Sequence, residues 1–340
     1  MSSWPSGGLE TVANCPVCGA GRRRVLHDRL TDAVFDCAPG EWTLHGCEAC
    51  AAAYLDPRPT PQSIGLAYQT YFTHSDAPGY ESLGAFSKIR RRLANGYRNR
   101  RYGTRDYPAS SLGVALIPLL PRMKAIVDAG MRHLPPRPEG GRLLDLGCGN
   151  GAFLLRARSA GWQTLGVDFD AQAIKAAEKL GLDVRLGGVE ALDPAVEQFD
   201  VITMSHVIEH VHDPVGVLTT CASLLRPGGV LWLDTPNICS VGHEEFGRHW
   251  RGLEPPRHLV IFSPAAMRKA LADAGFSTVR LQPYRRLCRE TFRASAAIAE
   301  GVDPYSGAGP AVPPGQVAKA ERLARKDPER REFITAKAWK

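Results

Sequence analysis

Two cysteine pairs, Cys15-Pro-Val-Cys18 and Cys47-Glu-Ala-Cys50, stand 28 residues apart in a chain of 340 residues. Four thiolates so spaced can close a tetrahedral zinc site, and a closed site leaves no open coordination position. The expected zinc is therefore structural, stabilising a stretch with too little apolar core of its own. Cys37, between the pairs, reads as a bystander. A second group, His206, Glu209 and His210, has the order His-x-x-Glu-His, which superficially matches a zinc-hydrolase helix. That motif needs a continuous helix, whereas here it follows an apolar strand and meets Asp213-Pro214 within three residues. We expect a short turn instead, at the carboxyl end of a strand, where open α/β sheets bind ligands. A third group lies in LLDLGCGNGAF (143–153), where Gly147, Gly149 and Gly151 separate an apolar strand from an apolar-periodic helix. Such glycines turn the backbone sharply and bring a ligand to the helix N-terminus, which suits NAD, FAD or a nucleoside. The Gly-x-Gly-x-Gly spacing is one residue shorter than the dinucleotide fingerprint. Asp145 precedes the first glycine, and Asp168 ends the next strand, where it can hold both hydroxyls of a ribose.

The elements that must position these groups follow from hydrophobic patterning. From Arg142 to about Tyr284 apolar strands, glycine turns and helices alternate: RLLDLG, AFLLRARSAG, TLGVD, AQAIKAAEKLG, FDVITMS, VLTTCASLLRPGG, VLWLDTP. This order predicts an α/β fold with a parallel sheet covered by helices on both faces. Asp213-Pro214 and Ser263-Pro264 each put a capping side chain before a proline suited to a first helical turn. Three successive regions are expected: a zinc-ribbon-like module over 1–60, a helical lid or linker over 61–135, and a main domain over 136–340 with an insertion at about 285–331. The middle region carries Tyr68, Tyr71 and Tyr80, a basic run, an apolar stretch and the linker-like LPPRPEGG (134–141). The insertion holds a Gly/Pro-rich loop (301–315) and a charged helix near 316–327, and REFITAKAWK reads as the last strand.

At these residues the chain resembles the class I S-adenosylmethionine-dependent methyltransferases over about 142–284. FDVITMSHVIEHVHDP (199–214) is similar to that family's fourth strand and following loop, LLRPGGVLWLDTPN (224–237) to its fifth strand, and FSPAAMRKALADAGF (262–276) to its late helix. The resemblance implies a Rossmann-like seven-stranded sheet with an antiparallel last strand. It implies that Asp145, Gly147, Gly149 and Gly151 surround the methionine part of S-adenosyl-L-methionine, that Asp168 holds the ribose, and that Gly188, Val189 and Glu190 lie near the adenine. Cys148, Phe169, Ser205 and His206 complete the implied cofactor contacts. Some metal-dependent members, among them small-RNA 3′-end 2′-O-methyltransferases and ubiquinone-pathway O-methyltransferases, carry Glu-x-x-Glu-His in this loop. This chain is similar, with His206 in place of the first Glu, and PPRHLVIFSP offers His258 where the RNA group has a further histidine. The implied second divalent site is His206, Glu209, His210 and His258, which would lower the pKa of an acceptor hydroxyl. Without a metal, His210 or His258 is the candidate base. Arg248, His249, Trp250, Arg251 and Arg257 fall on the implied acceptor side, where they read equally as a packed lid or as groups for a sugar or phosphate. Cysteine knuckles followed by Asp-Pro-Arg-Pro (56–59) and a methyltransferase core resemble a bacterial group associated with sugar and cell-envelope modification.

Composition bounds these readings. The chain is 44% hydrophobic and 23% charged, as expected of an ordinary globular chain. Its longest apolar stretch, LGVALIPLLP (112–121), falls short of the roughly 20 residues that cross a bilayer, and MSSWPSGGLE has no apolar signal core. Nine cysteines, an odd number of which four fall into two pairs spaced like metal ligands, point to a reducing, cytoplasmic setting. The net charge of +7 is modest, but Lys88, Arg90, Arg91, Arg92, Arg98, Arg100, Arg101 and Arg105 form a run without an acidic residue. A solvated helix face is the plain reading; docking to an anionic membrane that carries a lipid-linked acceptor is the sharper one. The expected activity is O-methylation of a sugar, glycan precursor or other small molecule. RNA 2′-O-methylation and a non-catalytic scaffold are the rivals, with nucleic acid the lesser expectation as partner.

Overall fold

A computed structural model describes residues 4–68, 84–137 and 139–340. Tyr71 and Tyr80 of the expected lid lie outside the described residues, as does Pro138 of the expected linker. The strands are β1 (Leu9–Glu10), β2 (Arg23–Leu30), β3 (Trp42–Cys47), β4 (Ala53–Leu55), β5 (Arg58–Pro59), β6 (Arg142–Leu146), β7 (Gln163–Asp168), β8 (Val184–Leu186), β9 (Phe199–Ser205), β10 (Leu225–Pro236), β11 (Val260–Ile261), β12 (Thr278–Leu281) and β13 (Phe333–Trp339). Seven of them form one sheet in the order β12-β13-β10-β9-β6-β7-β8, mostly parallel with an antiparallel end. This is the sheet that the sequence predicts.

Contacts group the chain into two compact units. One comprises Phe72–Met204, Ser223–Trp232 and Trp339–Lys340; the other comprises Met1–Tyr71, Ser205–Ala222 and Leu233–Ala338. The amino-terminal stretch thus belongs to the same unit as much later chain.

In the first unit, helices α1 (Ala85–Tyr102), α2 (Leu112–Leu119) and α3 (Pro121–Gly130) occupy the middle region. Two glycines let α1 and α2 meet backbone to backbone. A Cβ on Gly96 would stand 1.8 Å from the Ser110 carbonyl oxygen, and one on Gly113 would stand 1.9 Å from that of Leu93. The buried Asp128 of α3 accepts from the Tyr97 and Tyr102 hydroxyls at 3.1 and 2.7 Å. Strand β6 is buried at every residue after its first, and pairs in parallel with both β7 and β9. Its apolar run is that of a strand covered on both faces. Helices α4 (Ala152–Ser159) and α5 (Ala171–Lys179) set Phe153, Leu154, Ala157, Ile174 and Ala177 in a core with Leu143, Trp162 and Val201. Asp170 caps α5 by accepting from the Gln172 N–H at 2.7 Å.

In the second unit, helices α6 (Pro214–Leu224), α7 (Val241–Phe246), α8 (Pro264–Asp273), α9 (Cys288–Ala299) and α10 (Pro314–Lys326) follow in turn. Both predicted caps form: Asp213 accepts from the Gly216 N–H at 2.9 Å, and Ser263 from the Ala266 N–H at 3.0 Å. An antiparallel sheet in the order β11-β4-β3-β2 joins the cysteine stretch to later chain, with Val260 opposite Tyr54. Trp4, Leu30, Trp42, Leu44 and Leu55 share their core with Ile238, Trp250, Leu253 and Ile261. The amino-terminal stretch therefore completes a core with distant residues, as its few apolar side chains require. Helices α9 and α10 fill the expected insertion between β12 and β13.

Gly113→Ala drives a methyl group into backbone that cannot yield, so it is expected to destabilise by about 1–3 kcal/mol. Gly65→Ala, whose Cβ would meet nothing within 4 Å, serves as the neutral control in urea melts. Glu332 is buried, and accepts from the Gly242 N–H at 2.9 Å and from Trp250 Nε1–H at 3.2 Å. Burial raises its carboxyl to about 7. Below about pH 4.5 both folded and unfolded chains hold this proton. As pH climbs to 7 the unfolded chain releases it first, so stability is lost across that window by at most ~3 kcal/mol. Glu332→Gln is expected to remove that loss. Melts at pH 5 and pH 8 should therefore show a smaller fall in Tm for the variant than for the parent.

Candidate active site

The glycine turn is pinned from beneath by β7. The Gly147 and Cys148 N–H groups both donate to the Val167 carbonyl, at 2.9 and 3.1 Å, and Gly149 N–H donates to Asp168 Oδ2 at 2.8 Å. Gly147, Gly149 and Gly151 have φ of 67°, 53° and 79°, which β-carbon-bearing residues rarely adopt. Gly151 also abuts α5 and the loop that follows it, where a Cβ would meet Ala177 Cβ at 3.2 Å and Leu182 Cδ1 at 2.2 Å. The Cys148 side chain points into the core, so only its backbone belongs to the turn. Asp168 is half-buried and also accepts from the Asp170 N–H at 2.9 Å, and each carboxylate oxygen keeps a further lone pair for a ribose hydroxyl. The Phe169 ring is exposed beside Gly188, where a Cβ would stand 2.7 Å from Phe169 Cζ. Glu190 is turned back to accept from the Gly188 N–H at 2.9 Å, and Val189 is buried.

Asp145, fully buried at the end of β6, has a partner that sequence reading missed. Arg132 Nη1 bonds Asp145 Oδ1 and donates to Thr203 Oγ1 at 2.8 Å, while Thr203 Oγ1 donates to Asp145 Oδ1 at 2.9 Å. The guanidinium lies 3.9 Å over the Phe153 ring. Burial raises the Asp145 carboxyl and the Arg132 charge opposes it. Asp145 Oδ2 is buried and has no partner. An orphaned acceptor behind a glycine turn suits a ligand that brings a donor, which is the fit expected for S-adenosylmethionine. The available signal was an arginine between two buried apolar residues, Met131 and Leu134, just ahead of the strand.

The predicted short turn is present as Ile208–His210, directly after β9. Glu209, His210 and His258 each offer a ligating atom within 4.8 Å of the others. His210 Nδ1–H donates to the Arg257 carbonyl at 3.0 Å and His258 Nδ1–H to that of Gly252 at 2.8 Å. A carbonyl cannot donate, so both histidines carry the proton on Nδ1 and keep the Nε2 lone pair for a metal or a proton. Glu209 Oε2 accepts from the Thr235 hydroxyl at 2.9 Å. Burial would raise the Glu209 carboxyl, but the hydrogen bond from His206 and the facing histidines hold it down at about 2. Burial lowers His258 to about 4. The Tyr68 hydroxyl sits 3.0 Å from His210 Nδ1, which gives this tyrosine of the middle region a place beside the cluster.

His206, the fourth ligand that the resemblance implies, falls outside this three-residue group and touches only Glu209 of it. Its backbone is left-handed with φ of 54°, its ring meets Phe333 edge-on, and Nδ1 reaches Glu209 Oε1 at 3.3 Å. It is held at the exit of β9 beside the half-buried Ser205, its N–H donating to the Asp234 carbonyl at 2.8 Å. Partial burial works against its charged form, but Glu209 and Asp234 raise its pKa. Of the expected acceptor-side residues, Trp250 and Arg257 are buried. Arg257 is bound to Asp32 and Glu254, Arg251 to Glu254 and Tyr305, and Arg248 to the Arg29 carbonyl. Packing is therefore the reading that fits Arg251, Arg257 and the tryptophan, while Arg248 is exposed and His249 half-buried.

The four knuckle thiols converge, with Sγ–Sγ distances of 3.7 Å for Cys15–Cys50 and 3.5 Å for Cys18–Cys47. Sulfurs about 2.3 Å from one tetrahedral centre stand ~3.8 Å apart. The two knuckles share one backbone path: Gly19 N–H returns to the Cys15 carbonyl at 2.9 Å, and Ala51 N–H to that of Cys47 at 3.0 Å. Gly19 and Ala51 both have positive φ, 73° and 60°. Cys37 lies apart, against Asp32 and the Ala67 carbonyl.

A methyltransferase-domain family model matches residues 121–281. The ubiquinone biosynthesis O-methyltransferase of Xanthomonas axonopodis pv. citri is 39% identical over 178 residues, covering 46% of this chain and 73% of that protein. The protein of that name from Parvibaculum lavamentivorans is 36% identical over 169 residues, covering 45% of this chain and 66% of that protein. Among solved structures, a SAM-dependent methyltransferase from Archaeoglobus fulgidus overlaps 63% of this chain and 93% of its own, at 19% identity and a TM-score of 0.44. The chain belongs to the class I S-adenosylmethionine-dependent methyltransferases.

Removing Arg132 strands the Asp145 carboxylate. Arg132→Leu is expected to cost about 3–5 kcal/mol in urea unfolding, and adding Asp145→Asn should recover part of that loss. Additive losses in the double variant would mean that the two side chains act independently.

Proposed function

We propose that this methyltransferase acts on an oxygen of a hydroxylated small molecule, such as a sugar or glycan precursor, with the Glu209, His210 and His258 cluster drawing off the hydroxyl proton. The observation that carries the reading is the pair of histidines whose Nδ1–H groups are both tied to carbonyls, leaving two Nε2 lone pairs beside a buried ionised carboxylate. The O-methyltransferase activity named for the relatives supports oxygen as the accepting atom.

When bound, S-adenosylmethionine supplies a methyl group on a sulfonium sulfur. Asp168 holds the ribose hydroxyls, the Gly147–Gly151 turn gives the methionine part close backbone approach, and Asp145 accepts through its free Oδ2. Phe169 and the 188–190 turn flank the adenine, with Ser205 and His206 at the exit of β9. An alcohol is a weak nucleophile until its proton leaves. His258, kept neutral by burial, can take that proton at Nε2, and the carboxylate of Glu209 favours the charge that results. If a divalent ion is held, Glu209, His210 and His258 are its ligands, and the ion would lower the pKa of the hydroxyl itself. Cys15, Cys18, Cys47 and Cys50 hold a structural zinc in this reading.

The test combines titration calorimetry, elemental analysis and methyl-transfer assays on hydroxylated sugars and phenols. S-adenosylmethionine should bind the parent protein, and Glu209→Ala and His258→Ala should still bind it while losing about 100-fold or more in kcat. One zinc per chain is expected, kept in Glu209→Ala and lost in Cys47→Ser. Activity abolished by a chelator and restored by a divalent ion assigns the metal, while activity indifferent to chelator assigns the histidine base. Folded, zinc-loaded protein that binds no S-adenosylmethionine would sink the proposal.

A further inference from the structure

Helix α2 reverses the usual rule for a helix at a protein surface. Of Leu112–Leu119 only Gly113 and Ile117 are buried, and every exposed position is apolar. Leu112, Leu116 and Leu119 stand 63%, 42% and 76% exposed, and Leu120 follows at 45%. Surface helices normally turn charged or polar residues to water. Loose docking does not explain this, because the Gly96–Gly113 crossing and the Ser110 N–H bond to the Arg92 carbonyl at 2.9 Å lock α2 onto α1.

The exposed apolar surface extends along α1. Leu93 and Tyr97 pack against Ile117 and Val127, and the same helical face continues to Ile89 and Phe86, 56% and 73% exposed. Nine of the sixteen exposed large hydrophobic side chains among the described residues lie between Phe86 and Ile126. Charge is concentrated in the same place. Residues 84–130 hold ten Lys and Arg against two Asp, a net +8 in a chain whose total is +7. Asp106 is paired with Arg98, and Asp128 is buried under two tyrosines and Lys124. The Arg90 guanidinium lies 5.9 Å from the Phe86 ring, so cation and apolar surface are immediate neighbours.

We propose that α1 and α2 form a docking surface for an anionic lipid bilayer, with the α2 leucines entering the headgroup boundary and the α1 arginines meeting lipid phosphates. A helix of eight residues is only about 12 Å long and cannot span the hydrocarbon. No helix among the described residues is long and apolar enough to cross a membrane. The surface therefore lies on the bilayer, where apolar insertion and cationic attraction act together. This inference stands apart from the acceptor chemistry.

The full chain would be floated with vesicles of phosphatidylcholine alone and of phosphatidylcholine with roughly one-third phosphatidylglycerol. Binding is expected at least about tenfold stronger on the anionic vesicles and weakening as salt is raised. Leu116→Ser with Leu119→Ser, and separately Arg90→Glu with Arg92→Glu, should each reduce flotation about tenfold or more. Both double variants alter exposed side chains, so an unchanged melting curve and unchanged S-adenosylmethionine affinity would show that folding and cofactor binding are intact. Equal binding to neutral vesicles, no binding to either, or flotation unaffected by both double variants would overturn the proposal. A dimer in light scattering that Leu116→Ser with Leu119→Ser dissociates, in protein that binds no vesicle, would assign the surface to a second copy and overturn it as well. So would binding of single-stranded RNA by protein that ignores vesicles.

Discussion

The guanidinium of Arg257 has no exposed surface, and much of the second unit is arranged to satisfy it. Asp32 takes two of its N–H groups, Glu254 accepts from Nε at 3.1 Å, and the Ala67 carbonyl accepts from Nη1 at 3.0 Å. A charge taken this far from water is tolerated only when such partners are complete. The consequences reach the cluster through covalent neighbours. The Arg257 carbonyl orients His210, and His258 is the next residue, with Glu254 Oε2 3.7 Å from its Nε2. Cross-links between residues 32, 67, 254 and 257 therefore set two histidine rings, although none of those residues belongs to the cluster. The amino-terminal stretch, tied in by the same arginine, by the four-stranded sheet and by the Ser263 hydroxyl on the Cys50 carbonyl at 2.8 Å, acts as scaffold for this loop.

Three buried carboxyl groups show how partners decide what burial does. Each is raised by loss of water. Glu332 has neutral donors from Trp250 and Gly242, and it rises to about 7. Asp145 faces one guanidinium but is fully enclosed, and it still rises. Glu209, facing three histidines and bonded by Thr235, drops to about 2. An acid held ionised in an enclosed place is a fixed negative charge, which steadies a cation or a protonated histidine that forms beside it. The cluster departs from the other two sites in that respect.

Much of this architecture is legible in the sequence alone. The alternation of apolar runs and glycine turns over 142–284 specified the parallel sheet, because a strand buried on both faces must be apolar throughout. Asp213-Pro214 and Ser263-Pro264 announced α6 and α8, since capping is a local interaction between residues three apart or fewer. The cysteine pairs were legible for the same reason: a knuckle is built within five residues, and the two here share one backbone path. The apolar stretch 112–121 was visible as composition only; that its leucines face outward could not be read, because a run with no polar residue has no face of its own until Gly96 and Gly113 choose one.

What the chain determined by itself were the features that depend on neighbours in sequence: the elements, their caps, the two knuckles, the glycine turn and the short turn after β9. Tertiary structure alone decided which groups from distant segments meet. It brought Arg132 to Asp145 and Asp32 to Arg257, and it turned Arg251, Arg257 and Trp250 of the expected acceptor side into packing. It also left His206 against only one member of the group, Glu209, where the resemblance implied a fourth ligand, with a left-handed backbone at φ 54° and its ring edge-on to Phe333. Spacing along a chain constrains distance only within a turn or two of regular structure, whereas ion pairs and proton-transfer groups are assembled by the packing of elements, and their desolvation is complete only after that packing exists.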